Sequence, residues 1–274
     1  MARLLANSFG PAIAVRRGTF QAGAWMMENA GVSVSVRGLR KNFGSQCVLA
    51  GLDLEIRPGE VFVLMGPSGA GKSVVLRHLI GLEEPDAGEV RVGDHPVDDS
   101  IRDRFRMAMV FQSGGLLNSL TVAENVGLYL AEHRLVSRAD RERLVREKLD
   151  LVGLDESVGL KLPSELSGGM RKRVAIARAL TMDPQLILFD EPTSELDPLA
   201  AATVGGEIVA LNRRLGVTTV VVTHDRHLAF GVGQRIGFLA EGRLLALGTP
   251  AEIRASADPL VHQFLTSAFT PPSP

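Results

Sequence analysis

The stretch Gly66-Pro67-Ser68-Gly69-Ala70-Gly71-Lys72-Ser73 constrains this chain more than any other. It fits G-x-x-x-x-G-K-[ST], a loop whose backbone N–H groups cradle phosphate oxygens. Such a loop works between a buried strand and a helix, and both are legible. Val61-Phe62-Val63-Leu64-Met65 is a continuous apolar run, which predicts a buried strand. Val74, Val75, Leu76, Leu79 and Ile80 recur at helical spacings after the loop. The helix N-terminus adds positive potential at the phosphates. In this arrangement Lys72 reaches the β- and γ-phosphates and the Ser73 hydroxyl ligates Mg²⁺. The competing reading is a plain Gly-rich turn, which gives no packing reason for Lys-Ser at the helix start.

The chain has 274 residues, 45% of them hydrophobic, enough for a sizeable core in one large domain or two small ones. Thirty Lys and Arg against 31 Asp and Glu give a net charge of -1. That balance argues against a nucleic-acid binder held by a basic surface. Cys47 stands alone, which excludes an intrachain disulfide and a cysteine metal cage, and it reads as a small buried apolar residue. No apolar run approaches the roughly eighteen residues that span a bilayer. Residues 1–30 read as a disordered extension, with Met26 or Met27 as the native start. Residues 266–274 read as a flexible tail.

Val32 to Arg37 alternates with period two, as in a half-exposed strand. Lys41-Asn42-Phe43-Gly44 reads as a turn, with Phe43 a core aromatic on this evidence alone. Val48-Leu49 leads to a second alternating strand, Leu52 to Ile56. These amphipathic strands predict an antiparallel β portion against a parallel core. Glu89 to Val92 is a further strand, with Gly93-Asp94 a hairpin turn. From about 113 to 165 the pattern is helical. Thr121 and Glu124 fit a capping box, and Ser137 to Asp140 a looser version of it. Val145, Leu149 and Val152 make an apolar stripe, and the charges around them a solvated face. The block interrupts a βα alternation, so it reads as an inserted helical subdomain, about 113–180, within a domain covering 31–265.

Three apolar strands end in polar residues. Met107 to Phe111 ends at Gln112, which is either a loop residue or a water or metal contact at the sheet edge. Gln185 to Phe189 ends in Asp190-Glu191. Carboxylates there are costly to bury unless they meet a cation or proton donor. Asp190 therefore reads as the Mg²⁺-side carboxylate and Glu191 as the group that orients or deprotonates a water. Thr218 to Thr223 ends at His224-Asp225, on the same edge. Ser167 is a natural N-cap, and Gly168-Gly169 leave amides uncovered, a second helix start suited to an anion.

Together these segments resemble the nucleotide-binding subunit of ABC transporters over about residues 32–250. Gly66 to Ser73 matches Walker A, Gln112 the Q-loop, Leu166-Ser167-Gly168-Gly169-Met170 the signature, Leu186 to Glu191 Walker B, Ser194 to Asp197 the D-loop and His224 the switch histidine. Phe43 matches the aromatic that stacks on adenine, which replaces the core reading. The family signature usually reads LSGGQ, and Met170 takes the glutamine position. The D-loop is usually SALD and here reads SELD. Neither change removes a phosphate-binding or catalytic group. The run LSGGMRKRVAIARAL, the Phe111 to Val126 region and Asp258 to Leu265 are similar to ATPases of Mla/MCE-type lipid transporters.

The resemblance implies an α/β P-loop ABC-ATPase fold that binds ATP with Mg²⁺, each ATP lying between one chain's Walker A and the signature of a second copy. Lys72 and the loop of Gly66, Pro67, Ser68, Gly69, Ala70 and Gly71, whose non-proline amides can donate, hold phosphates. Ser73, Gln112 and Asp190 surround the metal, Glu191 polarises water, and His224 holds the γ-phosphate. Ser167, Gly168 and Gly169 cap that phosphate across the dimer. The implied partners are a second ATPase subunit, an integral membrane permease at the cytoplasmic face of the inner membrane, and a lipid-binding MCE-type protein, with no nucleic acid. Competing readings are an importer ATPase for amino acids or other small solutes, a non-transport ABC protein, and a plain P-loop kinase. The kinase leaves Leu166 to Met170 unexplained.

Overall fold

A computed structural model describes residues 31–266. The expectations for residues 1–30 and for the tail beyond Thr266 lie outside the described residues. The run before the phosphate loop is strand β3 (Val61–Met65), in the interior of a six-stranded sheet. With it lie β6 (Met107–Val110), β7 (Leu186–Asp190), β8 (Thr218–Thr223), β9 (Arg235–Ala240) and β10 (Arg243–Gly248), in the order β10-β9-β3-β8-β7-β6. All pairings are parallel except β10 with β9. A second, antiparallel sheet has the order β2-β1-β4-β5, from β1 (Val34–Phe43), β2 (Gln46–Ile56), β4 (Ala87–Val92) and β5 (His95–Pro96). The expected parallel core with an antiparallel β portion is thus present.

The parallel strands read as unbroken apolar runs because both of their faces are buried. Phe62, Leu64, Leu186, Leu188, Val220 and Val222 face one core, shared with the antiparallel sheet and with helix α1 (Lys72–Leu79). Val63, Met65, Ile187, Phe189 and Val221 face the other. That second core is covered by the helices α3 (Val122–Glu132), α4 (Arg138–Leu151), α5 (Gly168–Leu180), α6 (Pro198–Leu215) and α7 (Arg226–Val232). The short α2 (Ile101–Arg104), α8 (Pro250–Arg254) and α9 (Pro259–Thr266) are the remaining α-helices among the described residues.

Helices α3, α4 and α5 pack on one another. The Thr121–Glu124 capping box forms, and the Ser137 hydroxyl accepts from Asp140 N. A cap contributes about 1 kcal/mol. Burying Val122, Val126, Val145 and Leu149 contributes about 1.5–3 kcal/mol each. Packing of the apolar stripe therefore dominates, and capping sets where the helices begin.

Four local expectations need correction. Strand β1 continues through Lys41-Asn42-Phe43, and the turn shrinks to Gly44-Ser45. Gly51, at φ 97°, is the extra residue of a bulge opposite Leu39 and Arg40, so the two pieces of β2 are one strand. Cys47 is exposed rather than buried, because it pairs with Asn42 near the hairpin tip, beyond the core. Phe111 lies outside β6 and is exposed, since the ladder with β7 ends at Val110 and Phe189.

Candidate functional site

The loop after β3 is shaped by close approach. A Cβ on Gly66 would lie 2.0 Å from the Leu239 carbonyl, so only glycine lets β9 pass there. Gly69 and Gly71 have φ of 81° and 95°, a region that favours glycine. Gly71 caps α1 with no side-chain hydrogen bond, so no side chain competes for the first amides. Pro67 and Ser68 are exposed, and with Gly69 and Ala70 they line a cavity of about 220 Å³ beside Cys47 and Gly242.

Lys72 is buried and folds back on its own loop, donating to the carbonyls of Gly66 and Pro67, both at 3.0 Å. Its Nζ also lies 3.6 Å from Glu191 Oε1. Burial pushes the ammonium below the usual lysine value, and the Glu191 carboxylate opposes that shift.

The ends of β7 and β8 complete the cluster. Ser73 Oγ donates to Asp190 Oδ1 at 2.7 Å. Glu191 has φ 47°, a strained value for a non-glycine residue, at a cost of about 1–3 kcal/mol. Neighbouring bonds hold it there. Its N–H donates to Val222 O at 3.0 Å, and its Oε2 accepts from Thr223 Oγ1 at 3.1 Å and His224 N at 3.3 Å. His224 Nδ1 is 3.0 Å from the same oxygen. Lys72, Ser73, Asp190, Glu191 and His224 are thus brought together at one sheet edge.

Among the described residues no hydrogen bond or ion pair joins the other expected site residues, outside the phosphate loop, to this cluster. Gln112 follows β6 with an exposed side chain, and its carbonyl accepts from the Lys172 ammonium. Phe43 is exposed at the end of β1, with Lys41 Nζ 5.4 Å from its ring centre. Ser167 caps α5 by accepting from Met170 N at 3.2 Å. A Cβ on Gly168 would lie 3.0 Å from Leu196, and one on Gly169 would lie 3.3 Å from Ala200. Among the described residues no hydrogen bond or ion pair joins Ser167, Gly168 or Gly169 to the phosphate loop.

Two contributing residues escaped the sequence reading. Thr223, at the end of β8, holds Glu191, and only the neighbouring Glu191 and His224 hinted at it. Lys172 was hidden in the run Arg171-Lys172-Arg173, although its spacing to Ala175, Ile176 and Ala179 puts it on the buried face of α5. Burial lowers its pKa, opposed by the carboxylates of Glu195, Asp190 and Glu191.

This cluster can grip a polyphosphate at the loop and helix start, offers oxygen ligands at Ser73 and Asp190, and holds a carboxylate for a water at Glu191. A family model described as ABC transporter matches residues 49–194. The chain belongs to the ABC transporter ATP-binding family. As a member it is an ATPase cassette. The cassette is 40% identical over 242 residues to the probable ribonucleotide transport ATP-binding protein mkl of Mycobacterium leprae, covering 86% of this chain and 69% of that protein. It is 43% identical over 236 residues to the sulfate/thiosulfate import ATP-binding protein CysA 2 of Chromobacterium violaceum, covering 86% of this chain and 64% of the relative. This ABC ATPase chain therefore spans about two thirds of these relatives' length. Among solved structures it is similar to a dimeric, ADP- and Pi-bound form of the ATP-binding cassette MJ0796, with TM-score 0.72 and 34% identity over 79% of this chain and 98% of that one. It is also similar to cbiO1 from Clostridium perfringens, with TM-score 0.74 and 28% identity over 85% and 94% of the two chains. Among the described residues no helix of the cassette is long and apolar enough to cross a membrane.

Proposed function

We propose that this cassette hydrolyses ATP in a site completed by a second copy, and so powers a separate membrane permease from the cytoplasmic face of the inner membrane. The observation that carries this reading is the division of the site groups. The phosphate loop, Asp190, Glu191 and His224 form one cluster, while among the described residues Ser167, Gly168 and Gly169 have no hydrogen bond or ion pair to it. The dimeric form of the similar cassette MJ0796 supports it.

In this reading Lys72 releases its own loop carbonyls and holds the β- and γ-phosphates, with the loop amides. Phe43 stacks on adenine. Glu191 orients and polarises the attacking water, and His224 contacts the γ-phosphate. Ser167 and the amides of Gly168 and Gly169 cap that phosphate from the partner copy. Ser73, Asp190 and Gln112 supply only hard oxygen ligands, which suits Mg²⁺ held largely through substrate phosphates. When bound, that ion neutralises charge on the β- and γ-oxygens. Catalysis is then mostly positioning and charge stabilisation. The α3–α5 block, as a helical subdomain with Gln112, passes the motion to the permease.

The cargo we assign is lipid, of the Mla/MCE type, with an MCE-type lipid-binding protein as a further partner. The run from Leu166 to Leu180 supports this reading. Met170 packs against the helical core while its N–H stays on Ser167, so the signature cap is kept without the usual glutamine. The second reading, import of a small solute, is favoured by relatives named for sulfate/thiosulfate and for sn-glycerol-3-phosphate import.

Two measurements test this. Glu191→Gln is expected to bind ATP, slow hydrolysis about 10²–10⁴-fold and accumulate an ATP-bound dimer on size exclusion. Undiminished hydrolysis contradicts the site assignment. Co-purification of the integral membrane partner, followed by assay of phospholipid against small solutes as stimulants of its ATPase, decides the cargo.

A further inference from the structure

Helix α5 starts at the signature and presents Lys172, Ala175 and Arg178, spaced by three, to the chain leaving β6. Lys172 donates to the Gln112 carbonyl. A Cβ on Gly114 would lie 3.6 Å from the Ala175 methyl. Arg178 donates to Gly114 O at 3.0 Å and Gly115 O at 2.6 Å. Two basic side chains of one helix thus hold three carbonyls of the loop that contains Gln112. Only Lys172 reaches a further element. Its Nζ lies 3.4 Å from Ser194 Oγ, and Ser194 N donates to Glu191 O at 3.1 Å.

Lysine on a helix normally keeps its ammonium in water. Lys172 is 7% exposed, and the carboxylates that oppose its burial, Glu195, Asp190 and Glu191, make no ion pair with it among the described residues. A buried cation held by a carbonyl and a hydroxyl is a costly way to fill space. Its position makes sense as a tie between segments. We propose that Lys172 is a positioning residue of the ATPase reaction: its ammonium fastens the Gln112 loop and the Ser194 loop to the signature helix, so that the three move as one body. A displacement of α5 then reaches both the end of β6 and the segment that carries Glu191. The inference rests on the roles given above to Glu191 and Gln112.

The test uses the full chain. Lys172→Met keeps the apolar stem and deletes the charge. The expected result is a fall in kcat of about tenfold or more, with KM for ATP and the Kd of a fluorescent ATP analogue within about threefold of the parent. Lys172→Arg, which can donate to both acceptors, restores most of kcat. Ser194→Ala removes one acceptor and gives a smaller fall at an unchanged melting temperature. A Lys172→Met kcat within about twofold of the parent overturns the proposal. So does a parallel loss of kcat, nucleotide binding and melting temperature with no effect of Ser194→Ala, which marks a purely structural role. Glu191→Gln is assayed beside them. Normal hydrolysis in that variant overturns the site reading and this inference with it, whereas stalled hydrolysis with an active Lys172→Met overturns the inference alone.

Discussion

Thr223 Oγ1 donates to Glu191 Oε2 at 3.1 Å, across the adjacent strands β7 and β8. Asp225 N donates to the same hydroxyl at 3.0 Å. With one lone pair taken by that N–H, the Thr223 proton is directed at the carboxylate. The strained Glu191 backbone and its side chain are therefore held from two directions, by Val222 O and by Thr223.

Thr223→Val keeps the shape and removes the hydroxyl. It leaves the Asp225 N–H short of a partner, at a cost of about 1–3 kcal/mol in stability. We expect kcat to fall about tenfold with KM for ATP little changed, because the contact orients a group that acts after binding. Steady-state kinetics beside a thermal melt read both effects. A kcat equal to the parent's at the lower melting temperature would confine Thr223 to folding.

Lys72→Ala is expected to weaken nucleotide binding itself. In the proposed site the lysine trades two carbonyls of its own loop, and a 3.6 Å approach to Glu191, for phosphate oxygens. A hydrogen bond to a charged group contributes about 1.5–3 kcal/mol, or roughly 10- to 150-fold in Kd. Titration with a fluorescent ATP analogue measures this. Unchanged affinity with lost turnover would move Lys72 from the binding to the chemical step.

The end of β1 that carries Phe43 is pinned by Asp86. Its carboxylate accepts from Asn42 N at 2.7 Å and Asn42 Nδ2 at 2.9 Å, and Lys41 lies 3.6 Å away. The Asn42 backbone N–H first, then its side chain and Lys41, hold this carboxyl below its ordinary value of 3.8. An acid with a depressed folded value stabilises the fold above its ordinary value and loses that contribution as pH falls through the depressed one. The melting temperature of Asp86→Ala should therefore lie below the parent's near neutral pH, and the gap should close as pH drops below 3.8. A gap that persists in strong acid would mean that packing, not the charge, is what the substitution removes.

Signals confined to a few neighbouring residues were read correctly from the chain. Strands β3 and β8 have the expected ends, because they are buried on both faces and bounded by turn or polar residues. The Thr121 and Ser167 caps formed as expected, since a cap is a contact over three residues. The antiparallel sheet was legible in outline and misjudged in detail. One bulged residue at Gly51 disguised a single strand as two, and the exposure of Cys47 depends on where the core beneath the hairpin stops.

The sequence by itself determined which groups the proposed nucleotide site draws on: a phosphate loop, carboxylates and a histidine at strand ends, and a capped glycine helix start. It did so because the motif residues are local and their chemistry is narrow. Only the tertiary structure decided which of them meet. The order β3-β8-β7 puts Ser73 2.7 Å from Asp190, 117 residues away, and sets Thr223 behind Glu191. Burial likewise decided that one lysine of Arg171-Lys172-Arg173 turns inward to Gln112 and Ser194. Contacts between distant segments follow from strand order and helix packing, which no short stretch of sequence carries.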